Sequence, residues 1–200
     1  VTPANLCPKE FPSILFTGAY LNTDTLLLPT STEILILDYP KLEVRGRISH
    51  PFFHDIHCVR EFSDHIAVLS TGLDMLILLD KINHEPVFFK SVLGGNPWNR
   101  FSKKIDYRLV NSTKPHYSHP NCLFEIDGEL WITRFEQKDA ICITEPEKRI
   151  NIGVERCHDG IVVGDFIYFT TVDGHIVIAH KHTFKIEQII NLNLIEKTKT

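Results

Sequence analysis

The chain has 200 residues, of which 43% are hydrophobic and 23% are charged, and its formal net charge is −4. These values are ordinary for a globular protein that is large enough to bury a core. A negative net charge argues against broad binding of nucleic acid, and no apolar run approaches the roughly 18 residues that a membrane span needs. We therefore expect neither a nucleic-acid partner nor a membrane partner.

One short pattern recurs four times along the chain: an apolar run that ends in threonine, a polar turn, and a second apolar run. Turn dipeptides such as Asp127-Gly128 and Asp173-Gly174 are strong hairpin signals when they stand between apolar runs. A repeat of about 40 residues built from short strands is typical of a β-propeller blade. We therefore predict an all-β fold of the β-propeller class. The closing threonines are Thr30, Thr71, Thr133 and Thr171.

Taken in chain order, the four repeats predict four blades that span about 14–50, 51–93, 115–153 and 154–192. We expect residues 1–200 to form a single propeller domain, which is either a small complete propeller or part of one with five to seven blades. The predicted strands are 26–30, 34–38, 66–71, 75–80, 122–126, 130–134, 140–144, 161–164, 167–171 and 175–179.

Three of the four repeats open on a histidine at the same place. His57 and His119 lie 14 residues before the closing threonine of their repeats, and His158 lies 13 residues before its own. Residues that open the inner strands of successive blades ring the mouth of the axial channel, so we expect the three rings to converge within roughly 10 Å. The alternative is that these histidines are structural residues that were copied with the repeat.

Imidazole rings from several blades, with acidic side chains beside them, are typical of a divalent-metal site, and Fe and Zn suit such ligands best. The neighbouring carboxylates would act as general bases or would orient the histidines. The predicted metal ligands are His54, His57, His119 and His158, and the predicted catalytic residues are Asp55 and Asp159.

This arrangement resembles propeller enzymes that work at the mouth of a channel. Such enzymes include the carotenoid-cleaving oxygenases, which hold iron with four axial histidines, the senescence-marker lactonases and the streptogramin lyase. The resemblance covers the repeat architecture and the placement of the histidines. It implies that His57, His119 and His158 carry an oxygenase-like role, with His54 or His116 as the source of a fourth ligand.

An insertion at 94–114 separates the second blade from the third. It carries five cations against one anion, with three aromatic residues between them. Long loops in compact domains are usually functional or disordered, and its arginines suit a carboxylate or a phosphate. We predict a lid over the channel mouth; the alternative is a solvated segment that covers a blade edge. The predicted substrate-binding residues are Trp98, Arg100, Tyr107, Arg108 and Asn121.

The five cysteines are an odd number and show no CxxC spacing, which is typical of reduced thiols in a cytosolic protein. Three of them, Cys58, Cys122 and Cys157, stand near the repeat-opening histidines, so thiolate ligation of a metal is an alternative role for them. The N-terminal residues also lack the pattern of a signal peptide. We therefore predict a cytoplasmic protein.

Together, these patterns predict a metal-dependent enzyme, an oxygenase, lyase or hydrolase, that acts on a small molecule at the channel mouth. The alternative is a non-catalytic propeller platform that binds a protein or peptide, and fold alone does not choose between the two.

Overall fold

The computed structural model describes residues 4–9 and 15–195. Within these ranges the regular structure consists of sixteen strands and five short 3-10 turns, and no helix there is long and apolar enough to cross a bilayer. The chain divides into two compact units, Val1–Pro120 and Asn121–Thr200. The 3-10 turns are Ala4–Leu6, Thr71–Leu73, Pro97–Asn99, Tyr107–Leu109 and Leu192–Leu194.

The first unit contains two four-stranded antiparallel sheets, in each of which the strands follow one another in sequence order. This simple meander is the topology of a propeller blade. The first sheet comprises β1 (Tyr20–Asn22), β2 (Thr25–Pro29), β3 (Glu33–Asp38) and β4 (Val44–Ser49). The second comprises β5 (Ile56–Phe62), β6 (His65–Ser70), β7 (Met75–Asp80) and β8 (Pro86–Ser91).

The second unit repeats the same topology in two further sheets. The third sheet comprises β9 (Pro120–Ile126), β10 (Glu129–Arg134), β11 (Asp139–Cys142) and β12 (Arg149–Asn151). The fourth comprises β13 (Ile161–Val163), β14 (Phe166–Thr170), β15 (His175–His180) and β16 (Ile186–Asn191).

The all-β prediction and the four blade-like sheets are therefore confirmed. The predicted strand 75–80 coincides with β7, and the predicted strand 130–134 begins one residue after β10 does. The middle strands were the easiest to predict because β6 and β7 are continuous apolar runs buried on both faces. The single-domain organisation of 1–200 and the total number of blades stay predictions.

Each unit has its own hydrophobic core. In the first unit, Ile34, Val68 and Ile77 lie in a buried cluster that Tyr107 of the insertion joins. In the second unit, Trp131 lies at the centre of a separate cluster. Each unit therefore contains a buried apolar cluster of its own.

The four closing threonines are buried where the second strand of each sheet meets the third. Their hydroxyls satisfy backbone groups that the sheet leaves without a partner. Thr71 donates to the carbonyl of Pro120 at 2.6 Å, and Thr133 accepts from the backbone N–H of Cys122 at 3.0 Å. Thr30 and Thr171 accept the backbone N–H groups of Glu33 and His175, at 3.2 and 3.1 Å.

Candidate metal centre

The first donor of the site enters from the segment that leads into β5. Asp55 has a left-handed backbone with φ of 51°, which is uncommon for a residue other than glycine. Asp55 and His57 are two residues apart, and the His57 Nε2–H donates a hydrogen bond to Asp55 Oδ1 at 3.3 Å. His57 therefore holds the carboxylate of Asp55 in one orientation.

Two more donors come from the segment that precedes β9. The Nδ1 atoms of His116 and His119 are 2.8 Å apart, and the two rings stack with a centroid distance of 5.0 Å. The ring of His57 meets the ring of His119 edge-on, with 4.7 Å between centroids. The two segments thus bring three imidazoles and one carboxylate together within the first unit.

The ligand atoms of Asp55, His116 and His119 all lie within 4.8 Å of one another, and the three side chains are half-buried. In the part of the chain that the structure describes, this is the one group of three or more histidine, cysteine or acidic side chains with such spacing. Two imidazoles and one carboxylate with open positions form the donor set of non-haem iron(II) sites, and imidazole also suits Zn, Cu and Ni. The donors therefore fit a divalent transition metal.

The hydrogen bonds around Thr113 fix the tautomer of His116. The Thr113 hydroxyl donates its single hydrogen to the carbonyl of Gly72, so toward His116 Nε2, 3.3 Å away, it acts as an acceptor. A neutral His116 then carries its proton on Nε2 and a lone pair on Nδ1. That lone pair accepts a hydrogen bond from Nδ1–H of His119 at 2.8 Å.

Burial and charge set the protonation of the site. Burial raises the pKa of Asp55, but the hydrogen bond from His57 and the charges of His57, His116 and His119 outweigh it, and the pKa falls to about 2. Burial lowers the pKa of His116, against the opposing charges of Asp55 and Asp74. Near neutral pH the site thus presents a carboxylate and an unprotonated imidazole, the forms that bind metals.

Asp74 fixes the segment that carries the two histidines. Its buried carboxylate accepts the consecutive backbone N–H groups of Tyr117, Ser118 and His119 at 2.8, 3.0 and 2.8 Å. Arg100 Nη1 donates to the same carboxylate at 2.8 Å. Four hydrogen bonds to one buried carboxylate hold the loop at a fixed distance from β7. Asp74 is therefore a positioning residue for His119, and sequence reasoning did not identify it.

His54 joins the insertion to the second sheet. Its ring is buried, and its Nε2–H donates to the carbonyl of Val110 at 3.0 Å. A Cβ on Gly72 would lie 2.0 Å from His54 Nδ1, so only glycine fits beside this ring. His54 was predicted as a metal ligand; the structure engages its Nε2 with the insertion, and the group of three donors does not include it.

A cavity of about 210 Å³ adjoins the donor set. Asp55 and His116 line one side of it, while Asn111, Ser112 and Lys114 of the insertion and its C-terminal flank line another. The last residues of the insertion therefore border the site, as a lid would. Four residues of the insertion were predicted to bind substrate, and none of them lines this cavity: Trp98, Arg100, Tyr107 and Arg108.

The aromatic side chains of the insertion pack against the protein. Trp98 contacts the rings of Phe52 and Phe89, with centroids 4.8 and 5.1 Å away. Tyr107 is buried, and its hydroxyl accepts the backbone N–H of Ser102 at 2.8 Å. These contacts agree with the alternative interpretation of the insertion as a cover on the blade edge.

The two arginines of the insertion are held by ion pairs and hydrogen bonds. Arg100 binds the buried Asp74, as described above. Arg108 pairs with Asp106 at 2.7 Å and donates to the Ser49 hydroxyl at 3.1 Å. Both guanidinium groups therefore satisfy carboxylates of the chain itself, and their assignment to substrate binding stays a prediction.

The remaining predicted site residues lie in the second unit. His158 is exposed, with its ring 5.2 Å from that of Phe135. Asp159 is exposed and accepts a hydrogen bond from the hydroxyl of Thr170. The convergence of His158 with His57 and His119, and the catalytic role of Asp159, stay predictions.

Asn121 and Cys157 have structural partners in the second unit. The Asn121 Nδ2 group is buried and donates to the carbonyl of Cys157 at 3.2 Å. Burial and the charge of Asp139 raise the pKa of the Cys157 thiol to about 12, so it stays protonated and is a poor metal ligand.

The spacing of two histidines indicated the site in the sequence, but the predicted ligand set included only one of them. His116 and His119 are three residues apart in a segment rich in turn residues, and an irregular backbone can bring such a pair together. Asp55 was predicted as a catalytic residue; its carboxylate belongs to the group of three candidate donors, and its catalytic role stays a prediction.

No protein-family model matches the sequence, and a search of curated proteins gives no significant match. Comparison with solved structures finds a similarity to hydrazine synthase from Kuenenia stuttgartiensis, with a TM-score of 0.63 and 10% sequence identity. The alignment covers 94% of this chain and 51% of the other, so the chain spans about half the length of that protein. At this identity the likeness shows the fold alone.

Proposed function

We propose that this protein binds one divalent transition-metal ion through Asp55, His116 and His119 and uses it to transform a small molecule in the adjoining cavity. The observation that carries the proposal is the convergence of three donor atoms of the right chemical types within 4.8 Å. The bond of Thr113 to His116 leaves the Nδ1 lone pair on the side of His119, where an ion could take the place of the hydrogen atom that the two rings share.

Three protein donors leave coordination positions for a substrate or for water, as in catalytic metal sites. When bound, a cation of this kind would supply Lewis acidity or would activate water as a nucleophile at neutral pH. In this arrangement Asp55 is a ligand and not a general base, while His57 orients its carboxylate through the 3.3 Å hydrogen bond. The nearby cavity makes an enzyme a better match than a platform for a protein partner.

Metal titration of the purified protein tests the proposal. We expect Co²⁺ to bind with a stoichiometry of one in isothermal titration calorimetry and to develop visible absorption bands. Loss of an outer-shell partner weakens metal binding by about 10- to 100-fold, so H116A or H119A, which removes a ligand, should weaken it at least as much. H182A, which removes an exposed histidine of the second unit, should bind Co²⁺ as the wild type does. Equal affinity in wild type and H119A would overturn the proposal.

A further inference from the structure

The cavity beside the donor set is small, and several polar side chains line it. Its volume of about 210 Å³ is below the roughly 300–1,000 Å³ of pockets for drug-sized ligands. Besides the residues already named, the hydroxyl-bearing Ser31 and Thr32 line it. Hydroxyl and amide groups of this kind bind the oxygen atoms of a compact, polar molecule.

The charges around the cavity are unequal once a metal is bound. Asp55 is the one carboxylate among the described lining residues, and the ion would neutralise it. Lys114 is the one lysine or arginine among them, and it forms no ion pair with another described residue. A metal-loaded cavity thus has an excess of positive charge.

The backbone around Lys114 is fixed by its neighbours. The Lys114 N–H donates to the Ser112 hydroxyl at 3.2 Å, and the adjacent Thr113 is bonded to Gly72. The side chain of Lys114 therefore starts from a fixed point at the cavity wall, on the C-terminal flank of the insertion.

We infer that the cavity takes a small molecule with an anionic oxygen group, a carboxylate or a phosphate, which pairs with Lys114 while a second part of the molecule faces the metal. The inference rests on the proposed metal site, since the excess of positive charge depends on the ion. In this proposal the C-terminal end of the insertion recognises the ligand through Lys114, and the two arginines of the insertion take no part.

Anion titrations of the Co²⁺-loaded protein test the inference. Succinate, inorganic phosphate and the neutral succinamide are each followed by calorimetry and by the visible Co²⁺ bands. We expect succinate or phosphate to bind and succinamide not to bind, and the anion that binds identifies the source of the oxygen group. K114M should weaken anion binding at least tenfold and leave Co²⁺ affinity unchanged, while K114R should retain most of the anion affinity.

Lys103 supplies a matched control, because it lies over the Trp98 ring and does not line the cavity. K103M should bind the anion as the wild type does. If Co²⁺ binds but neither anion does, or if the anion affinity is the same in K114M, the inference is overturned and the metal site stands. If Co²⁺ itself fails to bind, the proposed function fails instead.

Discussion

At the level of single residues, Asp74 has the largest expected influence on the site without being a ligand. Its carboxylate is the acceptor for three backbone N–H groups of the histidine segment and for Arg100. Buried carboxylates with several donors hold a loop more tightly than neutral side chains do, because hydrogen bonds to charged groups are worth about 1.5–3 kcal/mol each. The geometry of His116 and His119 therefore depends on Asp74.

We expect D74N to weaken Co²⁺ binding by about 10- to 100-fold and to lower the free energy of unfolding by about 3 kcal/mol, because Arg100 loses its buried partner. D106N is the control: it weakens the half-buried pair with Arg108 on the same insertion and should lower the free energy of unfolding while it leaves Co²⁺ affinity unchanged. Calorimetry and urea unfolding measure the two effects. Wild-type metal affinity in D74N would show that Asp74 does not position the donors.

The close packing of Gly72 against His54 leads to a second prediction at the level of single residues. An added Cβ would lie 2.0 Å from His54 Nδ1 and 2.9 Å from the His54 carbonyl oxygen, which is backbone and cannot move aside easily. Overpacking of this kind costs about 1–3 kcal/mol, so G72A should lower the urea midpoint clearly. G46A, whose Cβ would make an ordinary 3.6 Å contact with Ile36, should change it little. Equal midpoints for the two variants would contradict the packing described here.

At the level of elements, the insertion 94–114 combines two roles along its length. Its first part packs aromatic side chains against the second sheet, and its last residues border the cavity. The sequence predicted a lid or a cover as alternatives. The structure assigns the packing to Trp98 and Tyr107 and the cavity wall to the residues from Val110 onward.

We expect W98A to lower the free energy of unfolding by about 2 kcal/mol, because its ring is partly buried between Phe52 and Phe89, and to leave Co²⁺ affinity unchanged. R108A removes the half-buried ion pair with Asp106 and should also lower the free energy of unfolding while Co²⁺ affinity stays unchanged. A thermal melt beside a Co²⁺ titration separates the two effects. If W98A instead lost metal binding with unchanged stability, the first part of the insertion would belong to the site.

Strand positions were predictable because they depend on local patterns. The apolar runs of β6 and β7 and the turn at Asp127-Gly128 are visible within a few residues of sequence. The site depends on contacts between distant segments: Asp74 binds backbone groups more than 40 positions later, and His116 gains its tautomer from Thr113 and Gly72. No periodicity records such contacts, which is why Asp74 was missed and why His116 was predicted only as one of two possible sources of a fourth ligand.

At the level of the whole molecule, each compact unit has its own core, and the candidate metal donors all come from the first one. The donors join two segments that are about sixty residues apart in the sequence, Asp55 before β5 and the histidine pair before β9. A bound ion would therefore cross-link the first unit in its native state only.

Metal binding should therefore raise the thermal stability of the protein. Co²⁺ at about 100 times its dissociation constant should add about 2.7 kcal/mol to the free energy of unfolding, and EDTA should reverse the gain. H116A should show no such shift, since it lacks one of the three donors. The measurement is a differential scanning melt at several metal concentrations. An equal shift in wild type and H116A would place the stabilising metal elsewhere.

Anomalous diffraction from crystals grown with Co²⁺ tests the central claim most directly. Data collected at the cobalt absorption edge should show one strong peak that lies about 2.0–2.2 Å from a carboxylate oxygen of Asp55 and from Nδ1 of both His116 and His119. A map without a peak between these three residues, or with its strongest peak at an exposed histidine such as His182, would contradict the assignment of the metal centre.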